Sequence, residues 1–349
     1  MLSEKQLQEI REHLEKAQNP VFYYDNDADG LCSFIILRKF IGRGKGVAVR
    51  SFPDLNAGYA KKAQELNADY VFVLDKPVVS RDFVEELDKL GLPMVWIDHH
   101  DIQTTISEKD FKNLFVYNPA LLKGKGESFE PVTYLSYRVS RRKEDLWLGI
   151  IGCISDHFLP DFASDFEEDY PDFWGKVKTP FDAYYNTEIG KIARSFNFGL
   201  KDSVSNVVRL QNFLITCKGP GEVFAEDTGN YLFRKRYTEV KKKYDTLIEK
   251  AMKIVEGKIV FFEYAGDLSM SSDLSNELVY RNPNKIVVVA FKNGDVANIS
   301  LRGKNVKKAL ERVLKEVEGS GGGHEDAVGA RIKEGDLDKF RKVLERELG

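Results

Sequence analysis

The sequence predicts an α/β protein with an N-terminal parallel-sheet domain over residues 1–165, a helical connector over 166–256 and a smaller C-terminal α/β domain over 257–349. Three observations lead there. Short β-rich runs alternate with helical periods from residue 21 to about 160, the pattern of βαβ units on a parallel sheet. A second such alternation begins after Gly257. With 349 residues, the chain exceeds one average domain and has material for two cores.

The elements follow in order. Residues 1–18 place Leu2, Leu7, Ile10 and Leu14 on one side of a charged amphipathic helix, without the apolar stretch of a signal peptide. The runs 21–24, 47–52, 70–74 and 94–97 read as strands, with helices such as 31–41 and 79–90 between them. Residues 146–154 form an apolar helix-like segment. From 162 to 256 the character changes, aromatic and acidic at 165–174 and then helical. Segment 231–255 spaces Phe233, Tyr237, Val240, Tyr244, Leu247, Ile248 and Ile254 as a long helix would. Its many Lys and Arg residues fit a solvated face, a stripe that tracks nucleic acid, or an oligomer contact. Beyond Gly257, runs 258–264, 285–291 and 296–301 read as strands and 306–316 as a helix. A Gly-rich segment from Gly319 to His324 and a closing helix at 337–348 complete the chain.

Composition narrows the classes. Charged residues make up 31% yet cancel to a net charge of −3, so any nucleic-acid surface has to be a local patch and not a global basic field. Cys32, Cys153 and Cys217 are scattered without C-x-x-C spacing, which leaves no zinc knuckle or disulfide framework. The set fits a reducing cytoplasm, and Cys32 and Cys153 read as small buried hydrophobes. No apolar run approaches the roughly 20 residues of a membrane span. A soluble, cytoplasmic protein with no membrane partner is expected.

The chemistry concentrates where strands stop. Asp25, Asp27 and Asp29 form D-x-D-x-D-G directly after run 21–24, Asp75 follows run 70–74, and Asp98-His99-His100 follows run 94–97. Ligands of open α/β sheets bind outside these carboxyl ends. Alone, D-x-D-x-D-G also fits a calcium loop or a solvated acidic turn, but a strand precedes it where a calcium loop has a helix. Adding Asp75, the imidazoles and Asp156 gives the mixed carboxylate and His set of a two-metal hydrolytic site. His157 reads as a polar helix residue or as a donor behind the ligands. The run Gly319–Gly323 lacks the Lys-Ser/Thr of a phosphate loop, leaving an anion nest of backbone N–H groups or a hinge.

In this order, D-x-D-x-D-G, an isolated Asp, D-H-H, a further Asp and a C-terminal G-G-G-H, the chain resembles the DHH phosphoesterase superfamily in its DHHA1-containing subgroup, which includes RecJ-type nucleases. The resemblance spans most of residues 20–332, with 162–256 unmatched, and is nearest to archaeal RecJ-like exonucleases of the Hef-associated nuclease group. It implies a DHH domain at 1–165 and a DHHA1 substrate-binding domain at 257–349. It further implies that Asp25 and Asp27 hold one metal, that Asp29, His99 and Asp156 hold the other, and that Asp75 bridges them. His100 is then the phosphate-facing group, Asp98 orients its neighbours, and Arg302 of Ser300-Leu301-Arg302 grips a phosphate beside Gly321, Gly322, Gly323 and His324. The implied cofactor is two divalent ions, Mn2+ in the first place, with Mg2+ or Co2+ as alternatives. Two departures bear on metal preference: Asp25 stands where other branches carry His, and Lys76-Pro77 follows Asp75 where a small residue is commoner.

The implied function is hydrolysis of single-stranded DNA or RNA from an end, 3'-to-5', in DNA repair or replication-fork processing. The implied partners are single-stranded nucleic acid, a repair helicase and a second copy of the chain. A nanoRNase, a 3'-phosphoadenosine phosphate phosphodiesterase or a cyclic-dinucleotide phosphodiesterase would use the same chemistry. A non-catalytic scaffold would have lost ligands, whereas every expected ligand is present.

Overall fold

The computed structural model describes residues 1–50, 55–100, 106–121, 130–226 and 229–348, with the side chain of His324 outside the description. The chain divides into two compact units, Met1–Tyr237 and Thr238–Gly349.

The first unit opens with α1 (Glu4–Lys16), whose N-terminus is closed by a capping box between Ser3 and Gln6. Then come β1 (Pro20–Asp25), α2 (Ala28–Ile41), β2 (Lys45–Val49), α3 (Ala57–Glu65), β3 (Tyr70–Leu74), α4 (Arg81–Lys89), β4 (Met94–Ile97) and β5 (Leu114–Tyr117). All pairings are parallel, in the order β2-β1-β3-β4-β5. Alternate residues of each strand feed two cores. Phe22, Tyr24, Phe72, Leu74, Val95 and Ile97 join the core that includes α1 and α2, while Val21, Tyr23, Val71, Val73, Met94 and Trp96 pack with α3 and α4. A parallel sheet buried on both faces explains why these strands read as continuous apolar runs. β5, α3 and the helix over Val132–Ser140 were not among the elements read from sequence. The expected end of the second strand, residues 51 and 52, lies outside the described residues.

α5 (Val132–Ser140) and α6 (Leu146–Ser155) pack on α2, and the Leu146–Ile154 stretch of α6 is entirely buried. The chain beyond is helical: α7 (Ala163–Asp169), α8 (Pro171–Trp174), α9 (Pro180–Asn186), α10 (Glu188–Leu200) and α11 (Val204–Thr216), all in the first unit. The expected long helix is α12 (Tyr231–Met252), with Phe233, Tyr237, Val240, Tyr244 and Ile248 buried at the predicted spacing. Ile254, expected on its apolar side, falls past its end and is exposed.

The second unit holds β6 (Ile259–Ala265), α13 (Ser271–Arg281), β7 (Ile286–Asn293), β8 (Val296–Arg302), α14 (Val306–Val313), β9 (Gly319–His324), β10 (Ala327–Lys333) and α15 (Leu337–Leu348). Its sheet runs β6-β7-β8-β10-β9, parallel only between β6 and β7. One face, with Val288, Ile299, Leu301, Val328 and Ile332, buries Leu310, Phe340 and Leu344 of α14 and α15. On the other face α13 packs on β7 and β8. The Gly-rich segment is the edge strand β9, not a nest or a hinge: glycines 319, 321 and 323 lie so close to β10 that an added Cβ would come within about 2.6 Å of a β10 carbonyl oxygen.

Candidate metal centre

β1, β3 and β4 are neighbours in the parallel sheet, so their carboxyl ends bring three polar segments to one edge. Asp25 is the last residue of β1. Asp27 is the N-cap of α2 and accepts the Gly30 N–H at 2.9 Å. Gly30 is required there, since a Cβ would sit 2.4 Å from the Asp25 carbonyl oxygen.

Asp29, in the first turn of α2, is 2% exposed. Its two carboxylate oxygens accept from the backbone N–H groups of Val132 at 2.9 Å and Thr133 at 2.8 Å, the donors left open at the start of α5. The Thr133 hydroxyl donates to the Asp29 carbonyl at 2.8 Å. Behind Thr133 lies Gly152 of α6, where a Cβ would come within 2.0 Å of the Thr133 Oγ1.

Asp75 follows β3 with φ of +58°, a left-handed conformation that costs a non-Gly residue energy and recurs at functional sites. His99 Nε2 lies 3.4 Å from both Asp75 Oδ1 and Asp156 Oδ2, with Asp156 capping the C-terminus of α6. Ligand-capable atoms of Asp29, His99 and Asp156 cluster within 4.8 Å of one another, as do those of Asp25, Asp27 and Asp75, and those of Asp75, His99 and His100. Asp75 is therefore shared between clusters.

Asp98, fully buried, accepts the His100 N–H and the His100 Nδ1, each at 3.0 Å, and the Asn118 amide at 3.3 Å. Asn118 also donates to the His100 carbonyl at 2.9 Å. Sequence reasoning missed Asn118, although it follows β5 at the offset that Asp98 has after β4. Thr133 and Gly152 carried no readable signal. Lys76 was visible only as a departure from the family pattern; its Nζ lies 2.9 Å from Asp25 Oδ1.

Electrostatics follow from crowding. Burial first, and then the charges of Asp25 and Asp29, push the Asp27 carboxyl up to about 8. Burial and the Asp156 charge push Asp29 up to about 6. Burial and the charges of Asp29, Asp27 and Asp25 raise Asp75 well above the usual range. For His100 burial acts downward, but the Asp98 hydrogen bond and charge outweigh it and lift the imidazole to about 9. Asp75 Oδ1 and His99 Nε2 are buried and, among the described residues, accept or donate no hydrogen bond. Unpaired buried polar atoms of this kind call for a missing partner. The donor set, carboxylates with one imidazole, fits divalent ions of the Mn or Mg class.

His157, which the sequence left as a helix residue or a donor, stands past the end of α6 at φ of +55° with its ring stacked on Phe181 at 4.2 Å. Cys32, Cys153 and Cys217 are free and buried.

In the second unit Arg302 ends β8, its guanidinium held by α13. Nε donates to Asn276 Oδ1 at 2.5 Å and Nη2 to Ser272 Oγ at 2.9 Å. Cross-strand pairing aligns Arg302, Ala327 and His324 in one row, and Ser300, Gly329 and Gly322 in another. Gly323 has φ of +139°, while a Cβ at Gly322 would meet nothing within 4 Å, so β9 presents bare backbone at the sheet edge.

Residues 256–349 match the DHHA1 domain family. No curated protein matches the chain. Among solved structures, RecJ from Thermus thermophilus in complex with Mn2+ is similar at a TM-score of 0.66 and 15% identity, covering 98% of this chain and 54% of that one. The chain thus spans about half the length of that RecJ. The DHH domain of a member of a family of ribosomal proteins gives a TM-score of 0.70 at 15% identity, covering 99% of this chain and 89% of that one. An exonuclease RecJ bound to manganese gives 0.64 at 16%, covering 99% and 94%. At these identities the likeness is one of fold. The chain thus carries a DHHA1 domain at residues 256–349 and has a RecJ-like fold along its length.

Proposed function

We propose that this chain is a metal-dependent phosphodiesterase that removes nucleotides from an end of single-stranded DNA or RNA, in the 3'-to-5' direction, in repair or fork processing. The observation that carries the reading is the pair of buried atoms Asp75 Oδ1 and His99 Nε2, 3.4 Å apart and without a hydrogen bond among the described residues, inside a cluster of five carboxylates.

Asp25 and Asp27 would hold one divalent ion, Asp29, His99 and Asp156 a second, and Asp75 both. Bound there, two such ions supply Lewis-acid activation of water and neutralise charge developing on the phosphoryl group. The protein's own residues do the rest. Asp29 is fixed by two backbone N–H groups, and Asp98 fixes His100 by its backbone and its ring. His100 is the group assigned to the phosphoryl oxygens. Arg302, whose guanidinium donates to Asn276, Ser272 and the carbonyls of Leu301 and Val328, would bring a fixed positive charge to a substrate phosphate, and the bare backbone of β9 lets that strand come close. Action at the end of a single strand is what the resemblance to RecJ-type nucleases implies.

The test uses DNA and RNA oligonucleotides labelled at either end, single- and double-stranded, with Mn2+, Mg2+ or Co2+. Stepwise shortening of single strands from the 3' end, dependent on the added ion, is expected. Turnover confined to dinucleotides would replace this reading with the nanoRNase class. Internal cuts would remove the terminal specificity.

A further inference from the structure

One lysine reaches into the cluster. Lys76 is 3% exposed, and its ammonium reaches Asp25 Oδ1 at 2.9 Å in the group formed by Asp25, Asp27 and Asp75. A buried lysine is costly unless paired, and this one is paired with a residue assigned to a divalent ion.

Its backbone leaves it little freedom to withdraw. Asp75 before it has φ of +58°, Pro77 after it disfavours the helical region for Lys76, and the Lys76 carbonyl accepts the buried Trp96 Nε1 at 2.9 Å. The lysine is thus pinned at the mouth of β3 with its head inside the acidic cluster. The second group, Asp29, His99 and Asp156, has no lysine or arginine paired with it among the described residues.

We propose that Lys76 is a built-in competitor for the ion position formed by Asp25, Asp27 and Asp75, so that the two positions load unequally and this one fills last. The inference rests on the two-ion reading above. A unit positive charge held about 4 Å from a divalent ion weakens its binding by roughly thirtyfold even at the dielectric of water. Lys76 keeps the empty cluster from carrying its full negative charge, and it makes occupancy of the Asp25 position responsive to ion concentration.

The experiment is Mn2+ binding to the metal-stripped full-length chain, followed by the spin resonance of free Mn2+ and by calorimetry, without substrate. The wild type is expected to show two steps of different affinity. Lys76→Met removes the charge and should tighten the weaker step by at least about tenfold, or create a second step where the wild type shows one. Lys76→Arg, which keeps the charge, should stay near the wild type. Adding Asp25→Asn to Lys76→Met should abolish the gain, which ties it to the Asp25 position. Where Lys76→Met fails to fold, Lys76→Gln takes its place. An unchanged or weakened isotherm in the charge-removing variant overturns the role of Lys76 alone. A wild type that takes up no Mn2+ overturns the two-ion reading and this inference with it.

Discussion

At the scale of single residues, Asp29 belongs to a ligand-capable group while Asp98 belongs to none among the described residues, so orienting His100 is the role proposed for Asp98. Asp98→Asn keeps the shape and the Asn118 neighbour but removes the charge that holds the His100 ring. A fall in kcat/KM of roughly 10- to 100-fold, with Mn2+ affinity little changed, is expected from outer positions of this kind. Steady-state kinetics on a labelled single strand, beside a Mn2+ isotherm, separates the two quantities. A variant with normal turnover would leave Asp98 a purely structural residue.

At the scale of elements, the carboxyl ends of β1, β3 and β4 were legible because each acidic motif begins where an apolar run stops. Buried parallel strands write themselves as such runs, and a sheet edge needs no long-range information to be located. The support from α5 and α6 was not legible. Thr133 belongs to no motif, lies more than 100 residues from Asp29 in the chain, and meets it only because two helices pack on α2. The Gly-rich run misled for a related reason. Glycine permits a nest or a strand equally, and only the close approach of β10 decides between them. The α5–α6 contact makes its own prediction. Gly152→Ala would place a Cβ 2.0 Å from the Thr133 hydroxyl, so the helices must part or Thr133 must turn. A loss of about 1–3 kcal/mol in urea unfolding is expected, with weakened Mn2+ binding as the Thr133 donors leave Asp29. Adding Thr133→Ala should restore part of the stability by making room, but not the lost hydroxyl bond to Asp29. Equal stability of Gly152→Ala and wild type would mean that the helices separate at no cost.

At the scale of the whole molecule, all six residues assigned to the ions lie within Met1–Tyr237, and the second unit has a core of its own around Val288, Leu301 and Phe340. Ion binding should then stabilise one unit and not the other. A ligand present at about a hundred times its dissociation constant adds about 2.7 kcal/mol to the state that binds it. For a unit of this size that corresponds to a rise in Tm of roughly 5–10 °C. Calorimetry of the full chain should resolve two transitions, of which Mn2+ raises one and a chelator lowers it again, while the other stays in place. The Asp75→Ala chain, lacking the shared carboxylate, should show both transitions and neither ion-dependent shift. Should the chain instead melt in a single transition that Mn2+ raises as a whole, the two units unfold as one cooperative body and the independence argued for them is overturned.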